Sequence, residues 1–162
     1  MDIIRRILQV KGPYVLTISP DETVFEALRL MAIKDVGALV VMQGENLVGL
    51  ISERDYARKV ILRGRSSRDT LVREIMTFPV ETVHPDQTIE ECMDLMVNRR
   101  VRQLPVIENG QLVGLISMGD LLNYIIYMQR RMITELEERM KESEKPEVLE
   151  PVVPRFPSIP KQ

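Results

Sequence analysis

Apolar residues in the first third of the chain alternate between a spacing typical of helices and a spacing typical of strands. Val24–Lys34 carries apolar residues three, four and seven positions apart, which predicts an amphipathic helix. A short extended stretch, Tyr14–Ile18, precedes it, and two apolar stretches, Ala38–Met42 and Leu47–Ile51, follow it. Their Gln-Gly-Glu-Asn linker is typical of a hairpin turn, and Ser52 opens a second helix. The pattern therefore predicts a β-α-β-β-α unit.

The same unit occurs a second time, displaced by 65 residues. Thr17–Asp55 aligns with Thr82–Asp120 without a gap, and 17 of the 39 aligned positions are identical. A shared amphipathic pattern does not produce that many identities, so the chain contains a tandem duplication. In the second copy, the predicted elements are an extended stretch at Pro79–Val83, a helix at Ile89–Arg99, and two strands at Leu104–Ile107 and Leu112–Ile116. A second helix follows them and opens at Ser117.

The duplication predicts an α+β fold with pseudo-twofold symmetry. A unit of about 60 residues is marginal alone, so we expect the two copies to pack together around one common core. At the same displacement, weaker upstream matches pair Ile7 with Val72, Val10 with Ile75 and Val15 with Val80. We divide the chain into repeat 1 at 1–66, repeat 2 at 67–128, a helical extension at 129–145 and a Pro-rich tail at 146–162.

The two C-terminal segments differ from the repeats. The helical pattern continues from Asp120 to about Lys145, and a helix of this length is expected to extend beyond a compact domain and pack on another protomer. Beyond it, four prolines from Pro151 to Pro160 are spaced by three, as on one face of a polyproline II helix. This tail is interpreted either as a loosely ordered segment or as a docking motif.

Composition excludes several classes of protein. The chain has 162 residues and a formal net charge of −2, so there is no overall attraction to nucleic acid or to anionic membranes. The single cysteine, Cys92, and the single histidine, His84, leave no disulfide framework and no metal site. We find no secretory signal and no apolar run long enough to span a membrane, and we expect a cytoplasmic protein.

One segment of the chain is strongly basic although the overall net charge is slightly negative. Residues 53–73 carry seven Lys or Arg and three Asp or Glu, a net charge of +4. Aromatic residues make up 4% of the chain and Trp is absent, which leaves little to stack nucleic-acid bases on. Nucleic-acid binding is therefore the weakest interpretation of this patch.

The motif with the most chemistry is Gly-Leu-Ile-Ser-x-x-Asp, which ends in Ser52 and Asp55 and recurs with Ser117 and Asp120. A strand that ends at a helix N-terminus favours an anion such as phosphate, and the serine hydroxyl lies at that junction. A carboxylate one turn later can accept hydrogen bonds from a ribose diol. The same spacing is also a capping box, which stabilises the helix start without any ligand. The residues alone leave both interpretations open.

The whole pattern resembles the CBS domain, named after cystathionine β-synthase, in its tandem arrangement. The resemblance covers about residues 8–128 and rests on Thr-x-x-Pro-Asp-x-Thr, Val-Arg-Gln-Leu-Pro-Val and both Gly-Leu-Ile-Ser-x-x-Asp segments. It implies a non-catalytic regulatory protein of the small stand-alone type that senses AMP, ADP, ATP, NAD(H) or S-adenosylmethionine in two clefts. It also implies a homodimer and no required cofactor.

Carried over by position, the resemblance implies ribose contacts from Asp55 and Asp120, and ribose or phosphate contacts from Ser52 and Ser117. Segments 17–19 and 82–84 would flank the adenine, and segments 36–39 and 101–105 would form the opposite wall. The further nucleotide-binding residues implied are Thr17, Ile18, Ser19, Val36, Gly37, Ala38, Leu39, Arg54, Arg58, Thr82, Val83, His84, Arg102, Gln103, Leu104 and Pro105.

The two clefts are not expected to be equivalent. Repeat 2 has Arg102 and Pro105 where repeat 1 has Gly37 and Val40, so we expect the Ser117 and Asp120 cleft to be the stronger one. A basic residue of one repeat is also placed to serve a phosphate in the cleft of the other.

Two functional hypotheses remain. In the first, an adenosine nucleotide binds and shifts the geometry of a dimer, which a protein partner detects. In the second, the serine and aspartate only cap helices, and the long helix and the tail mediate oligomerisation or docking. Asp120→Ala would abolish nucleotide binding under the first hypothesis. Under the second it would cost about 1 kcal/mol of stability and have no effect on nucleotides. No nucleophile–base pair, metal cluster or P-loop supports an enzyme.

Overall fold

A computed structural model of the chain describes residues 3–144 and divides into two units between Ile125 and Ile126. The helices are α1 Ile4–Lys11, α2 Val24–Lys34, α3 Glu53–Lys59, α4 Val72–Ile75, α5 Ile89–Arg99 and α6 Met118–Ser143, with a 3₁₀ turn at Ile61–Arg63. The strands are β1 Thr17–Ile18, β2 Ala38–Gln43, β3 Asn46–Ser52, β4 Gln103–Glu108 and β5 Gln111–Ser117. Among these residues, no helix is long and apolar enough to cross a membrane.

The two sheets confirm the duplicated strand pairs. Strands β2 and β3 are antiparallel, as are β4 and β5, and each pair has a register shift at the same point of the repeat. Strand β1 adds a parallel edge to the first sheet. The prediction of an extended stretch at Pro79–Val83 was too long, since its pairing is a single bridge from Val83 to Val106.

The predicted helices α2 and α5 begin and end at the residues expected. Thr23 and Thr88 cap them, each accepting a hydrogen bond from the backbone N–H three residues later. Each helix ends in a residue of left-handed conformation, Asp35 and Arg100, both with φ of 53°. The chain turns sharply at these two residues and continues into β2 and β4.

The segments that precede the two repeats are exchanged. Helix α1 packs on repeat 2, where the N–H of Ile4 donates to the carbonyl of Gln87 at 3.0 Å. Helix α4 packs on repeat 1, where the N–H of Val72 donates to the carbonyl of Glu22 at 2.8 Å. Arg5 bonds to Asp86, and Arg73 bonds correspondingly to Asp21. The helix that precedes each repeat in the sequence therefore packs on the other repeat and completes it.

This exchange corrects the upstream alignment. Gln87 and Glu22 differ by the expected 65 positions, but Val72 and Ile4, which bond to them, differ by 68. Two of the upstream pairs were therefore wrong: Val72 corresponds to Ile4 and Ile75 to Ile7. Counted from the first residue of each helix, the segment from Ile4 to Ile18 is three residues longer than the corresponding segment from Val72 to Val83.

The prediction of one common core was also wrong, because the buried apolar residues form two clusters. The first combines Ile4 and Ile7 of α1 with residues of repeat 2, including Leu104 and Ile116. The second combines residues of repeat 1 with Val72 and Ile75 of α4. Each cluster is closed by its exchanged helix, which explains why a unit of about 60 residues can bury enough apolar surface.

Helix α6 confirms the predicted long C-terminal helix, which ends at Ser143. Along its outer part, Ile126, Ile133, Leu136 and Met140 recur at spacings of seven, three and four residues, and each is 45–63% exposed. The Pro-rich tail at 146–162 lies outside the described residues.

Candidate functional site

Both copies of the Ser-x-x-Asp motif form capping boxes. The Oγ of Ser52 accepts from the N–H of Asp55 at 3.2 Å, and Asp55 Oδ2 accepts from the N–H of Ser52 at 2.9 Å. The corresponding distances at Ser117 and Asp120 are 3.1 and 2.8 Å. The structural role that the sequence left open is therefore present in both repeats.

The carboxylate of Asp55 has further partners at its two oxygens. Oδ2 also accepts from the Oγ of Ser52 at 3.0 Å, while Oδ1 lies 3.2 Å from Thr77 Oγ1 and 3.0 Å from Lys59 Nζ. Thr77 follows α4, so the exchanged segment reaches the motif of the other repeat. Since a carboxylate has about four lone-pair sites, a ligand hydroxyl that binds Asp55 must replace one of these partners.

The carboxylate of Asp120 is held by a lysine from α1. Lys11 Nζ lies 2.7 Å from Asp120 Oδ2 and 2.7 Å from the carbonyl oxygen of Leu115. Burial raises the pKa of the Asp120 carboxyl, but the hydrogen bonds from Lys11 and Ser117 outweigh burial and leave the pKa below its ordinary value. This aspartate is therefore ionised and already neutralised within the protein.

A cleft of about 470 Å³ opens beside the first motif and is shared by the two repeats. Repeat 1 contributes one wall, the end of β3 and helix α3. The opposite wall is the segment where α5 ends and β4 begins. The residues that line the cleft are Gly37, Leu50, Ser52, Glu53, Arg54, Asp55, Arg58, Lys59, Thr77, Arg99, Arg100, Val101, Arg102 and Gln103.

Seven residues of the site expected from the resemblance are therefore brought together, and they come from both repeats: Gly37, Ser52, Arg54, Asp55, Arg58, Arg102 and Gln103. The other expected residues do not line this cleft. Six of them are buried in the strands or next to them: Ile18, Ala38, Leu39, Val83, Leu104 and Pro105. The other expected residues that do not line the cleft are Thr17, Ser19, Val36, Thr82, His84, Ser117 and Asp120.

The cleft described here lies beside the first motif, and the expectation that Ser117 and Asp120 form the stronger cleft stays a prediction. The expectation gave weight to Arg102 within its own repeat, whereas the fold places Arg102 opposite Asp55. The hypothesis that a basic residue of one repeat serves the cleft of the other fits this geometry. Sequence reasoning missed Thr77, for which the signal was the exchanged packing of α4 and the segment after it.

Charges concentrate in this cleft. Arg54, Arg58 and Lys59 face it from α3, and Arg99, Arg100 and Arg102 face it from repeat 2. Glu53 and Asp55 are its two carboxylates. Within residues 3–144, no group of three or more His, Cys, Asp or Glu side chains is placed to hold a metal ion. The arrangement thus suits an anion held by guanidinium groups.

Comparison with known proteins agrees with the fold and the motifs. The profile of the CBS domain matches residues 4–61 and 72–127. The chain is 40% identical over 121 residues to the CBS domain-containing protein CBSX3, mitochondrial, of Arabidopsis thaliana, covering 72% of this chain and 59% of that protein. It therefore spans less than two thirds of that relative's length.

Solved structures show the same arrangement. A protein with CBS domains from Burkholderia ambifaria is 45% identical and has a TM-score of 0.75, with coverage of 77% of this chain and 94% of that one. The hexameric CBS-CP12 protein from bloom-forming cyanobacteria is 31% identical with a TM-score of 0.68, covering 75% of this chain and 70% of that one. The chain belongs to the CBS domain family and carries two copies of the domain.

Proposed function

We propose that this tandem CBS pair is a non-catalytic regulatory module that binds an adenosine nucleotide in the cleft between Asp55 and Arg102. The observation that carries the proposal is the shared construction of the cleft. The motif with a carboxylate for ribose comes from repeat 1, and the arginine-rich segment suited to phosphate comes from repeat 2.

Binding requires a rearrangement at Asp55. The ribose hydroxyls take the place of Thr77 and Lys59 at Oδ1, while Ser52 keeps its hydrogen bonds to Oδ2. The released Lys59 is then free to turn toward the phosphate. The capping role and the binding role are compatible, because they use different oxygens of the same carboxylate.

A ligand in this position connects the two repeats, and this provides the regulatory output. It binds the arrangement in which both walls are in place, so it stabilises that arrangement over one in which the repeats have moved apart. The gain equals the difference in affinity for the two states. A protein partner that detects the geometry of the pair would thereby respond to nucleotide concentration.

A thermal-shift panel tests the proposal, with AMP, ADP, ATP, NAD, NADH and S-adenosylmethionine as ligands. A ligand at about 100 times its Kd adds about 2.7 kcal/mol, which raises the Tm by roughly 5–10 °C for a chain of this size. Asp55→Ala abolishes this shift. Asp120→Ala is the matched control, since it removes an equivalent cap outside the cleft and retains the shift. The absence of a shift for every ligand, or an unchanged shift in Asp55→Ala, would overturn the proposal.

A second function is favoured by the exposed apolar residues of α6. We propose that Ile126, Ile133, Leu136 and Met140 form the contact with a second copy of the chain, because an exposed stripe at this spacing is typical of helix pairing. A related CBS-CP12 protein assembles as a hexamer. Sedimentation velocity should show a dimer that dissociates in Ile133→Glu but persists in Glu138→Lys, a change on the opposite face. A monomeric wild-type chain would contradict this function.

A further inference from the structure

Four arginines that line the cleft have no partner among the described residues. Lys59 is paired with Asp55 at 3.0 Å, and Arg99 with Glu81 at 3.2 Å. Within residues 3–144 the remaining guanidinium groups make no hydrogen bond or ion pair, and they belong to Arg54, Arg58, Arg100 and Arg102.

The carboxylates that line the cleft do not balance the charge of these four arginines. Asp55 is already neutralised by Lys59, so among the described residues Glu53 is the one lining carboxylate without a cationic partner. Four like charges that converge on one cleft repel each other, and the repulsion is relieved when an anion enters. A single phosphate offers one group for these arginines, whereas a chain of phosphates reaches several of them.

The second motif serves as an internal comparison. At the positions of Arg54, Arg58 and Lys59, repeat 2 has Gly119, Asn123 and Tyr124. At the position of Arg102, repeat 1 has Gly37, and at that of Arg100 it has Asp35. These five basic positions of the cleft therefore have no basic counterpart in the other repeat. A binding mode that required only ribose and one phosphate would not need this concentration of arginine.

We propose, resting on the proposed function, that this cleft selects a nucleoside triphosphate over a monophosphate and takes it free of divalent metal. Mg²⁺ is usually held by one or two carboxylates together with substrate phosphates. Here Asp55 is occupied by Ser52, Thr77 and Lys59, and the phosphates face arginines. A Mg²⁺ ion on the triphosphate competes with these guanidinium groups for the same oxygens and lowers the negative charge that they bind.

Isothermal titration calorimetry of the full chain tests this inference with adenosine, AMP and ATP in EDTA, and then with ATP in excess Mg²⁺. Each added phosphate should tighten binding at least about tenfold, so that ATP binds about 100-fold more tightly than AMP. Excess Mg²⁺ should weaken ATP binding by about tenfold. Arg102→Ala should reduce the ratio of ATP to AMP affinity. Arg63→Ala is the control and should preserve the ratio, because Arg63 lies in the 3₁₀ turn and does not line the cleft.

The outcomes separate this inference from the proposed function. Equal affinities for AMP and ATP, or tighter ATP binding in Mg²⁺, would overturn the selection of a metal-free triphosphate and leave nucleotide binding intact. A failure of all three ligands to bind would overturn both. The same ratio of affinities in Arg102→Ala and wild type would show that the arginines do not cause the selection.

Discussion

The ammonium group of Lys11 lies 2.7 Å from the carboxylate of Asp120, across 109 positions of sequence. This contact joins the end of α1 to the Ser-x-x-Asp motif of repeat 2. In repeat 1 the corresponding Asp55 is paired with Lys59 of its own helix, at 3.0 Å. The equivalent carboxylates of the two motifs are therefore paired with lysines from different parts of the chain. The ion pair of Lys11 also holds helix α1 against repeat 2.

Replacing Lys11 by methionine should destabilise the fold. The change removes a partly exposed ion pair and leaves Asp120, which is 23% exposed, without its cation. We expect the free energy of unfolding to fall by about 1 kcal/mol, measured by urea denaturation. Lys34→Met is the control, because Lys34 has no ion pair within the described residues. Equal midpoints for the two variants would show that the contact does not stabilise the protein.

The same contact predicts a pH dependence. Burial raises the pKa of the Asp120 carboxyl, yet the hydrogen bonds from Lys11 and Ser117 bring the pKa below its ordinary value of 3.8. A carboxyl with a depressed pKa in the folded state contributes stability above its unfolded pKa and loses it as the pH falls through the folded pKa. Urea denaturation between about pH 5 and 3 should therefore show a smaller loss of stability in Lys11→Met than in wild type. Parallel pH curves would refute this.

Two glycines set how closely the exchanged helices approach the sheets. A Cβ at Gly49 would lie 2.5 Å from the sulfur of Met76, and one at Gly114 would run into the side chain of Leu8. Gly49→Ala and Gly114→Ala should each cost about 1–3 kcal/mol of stability, measured by thermal or urea denaturation.

Gly119→Ala is the matched control for these variants. A Cβ there meets nothing closer than Ser117 Oγ at 3.6 Å, and Gly119 lies in the first turn of α6. Alanine in a helix is more stable than glycine by up to about 1 kcal/mol, so this variant should be neutral or stabilised. An equal loss of stability in all three variants would contradict the packing argument.

Cys92 should be unreactive in the folded protein. Burial, with a contribution from Glu91, raises the pKa of its thiol to about 11, and the side chain is fully buried in α5. Because the thiolate is the reactive form, alkylation at pH 8 should be slow in buffer and fast in urea. It is the chain's single cysteine, so total thiol labelling reports on this site. Rapid labelling of the native protein would show that the helix opens locally.

The repeated elements could be predicted from sequence because local signals determine them. Helices α2 and α5 have both a cap and an apolar face, and the strand pairs have turn residues between them. The paired Gly-Leu-Ile-Ser-x-x-Asp segments also led to the site residues Ser52 and Asp55. These features depend on residues that are neighbours in the chain.

The exchange of α1 and α4 could not be predicted in the same way. An amphipathic helix such as Ile4–Lys11 fits against either repeat as far as its pattern shows, and long-range contacts such as Arg5 with Asp86 determine which repeat it packs on. The position of Arg102 relative to Asp55 depends on long-range packing in the same way. Arg102 belongs to the other repeat, and only the three-dimensional arrangement brings it to the first motif.

Amide NMR of the labelled chain during titration with AMP shows whether the nucleotide binds between Asp55 and Arg102, because it locates the ligand residue by residue. Chemical shift changes should concentrate at Gly37, at residues 52–59 and at residues 99–103, which form the two walls of the cleft. Changes centred on Lys11 and Ser117–Asp120, or none at saturating AMP, would contradict binding at this site.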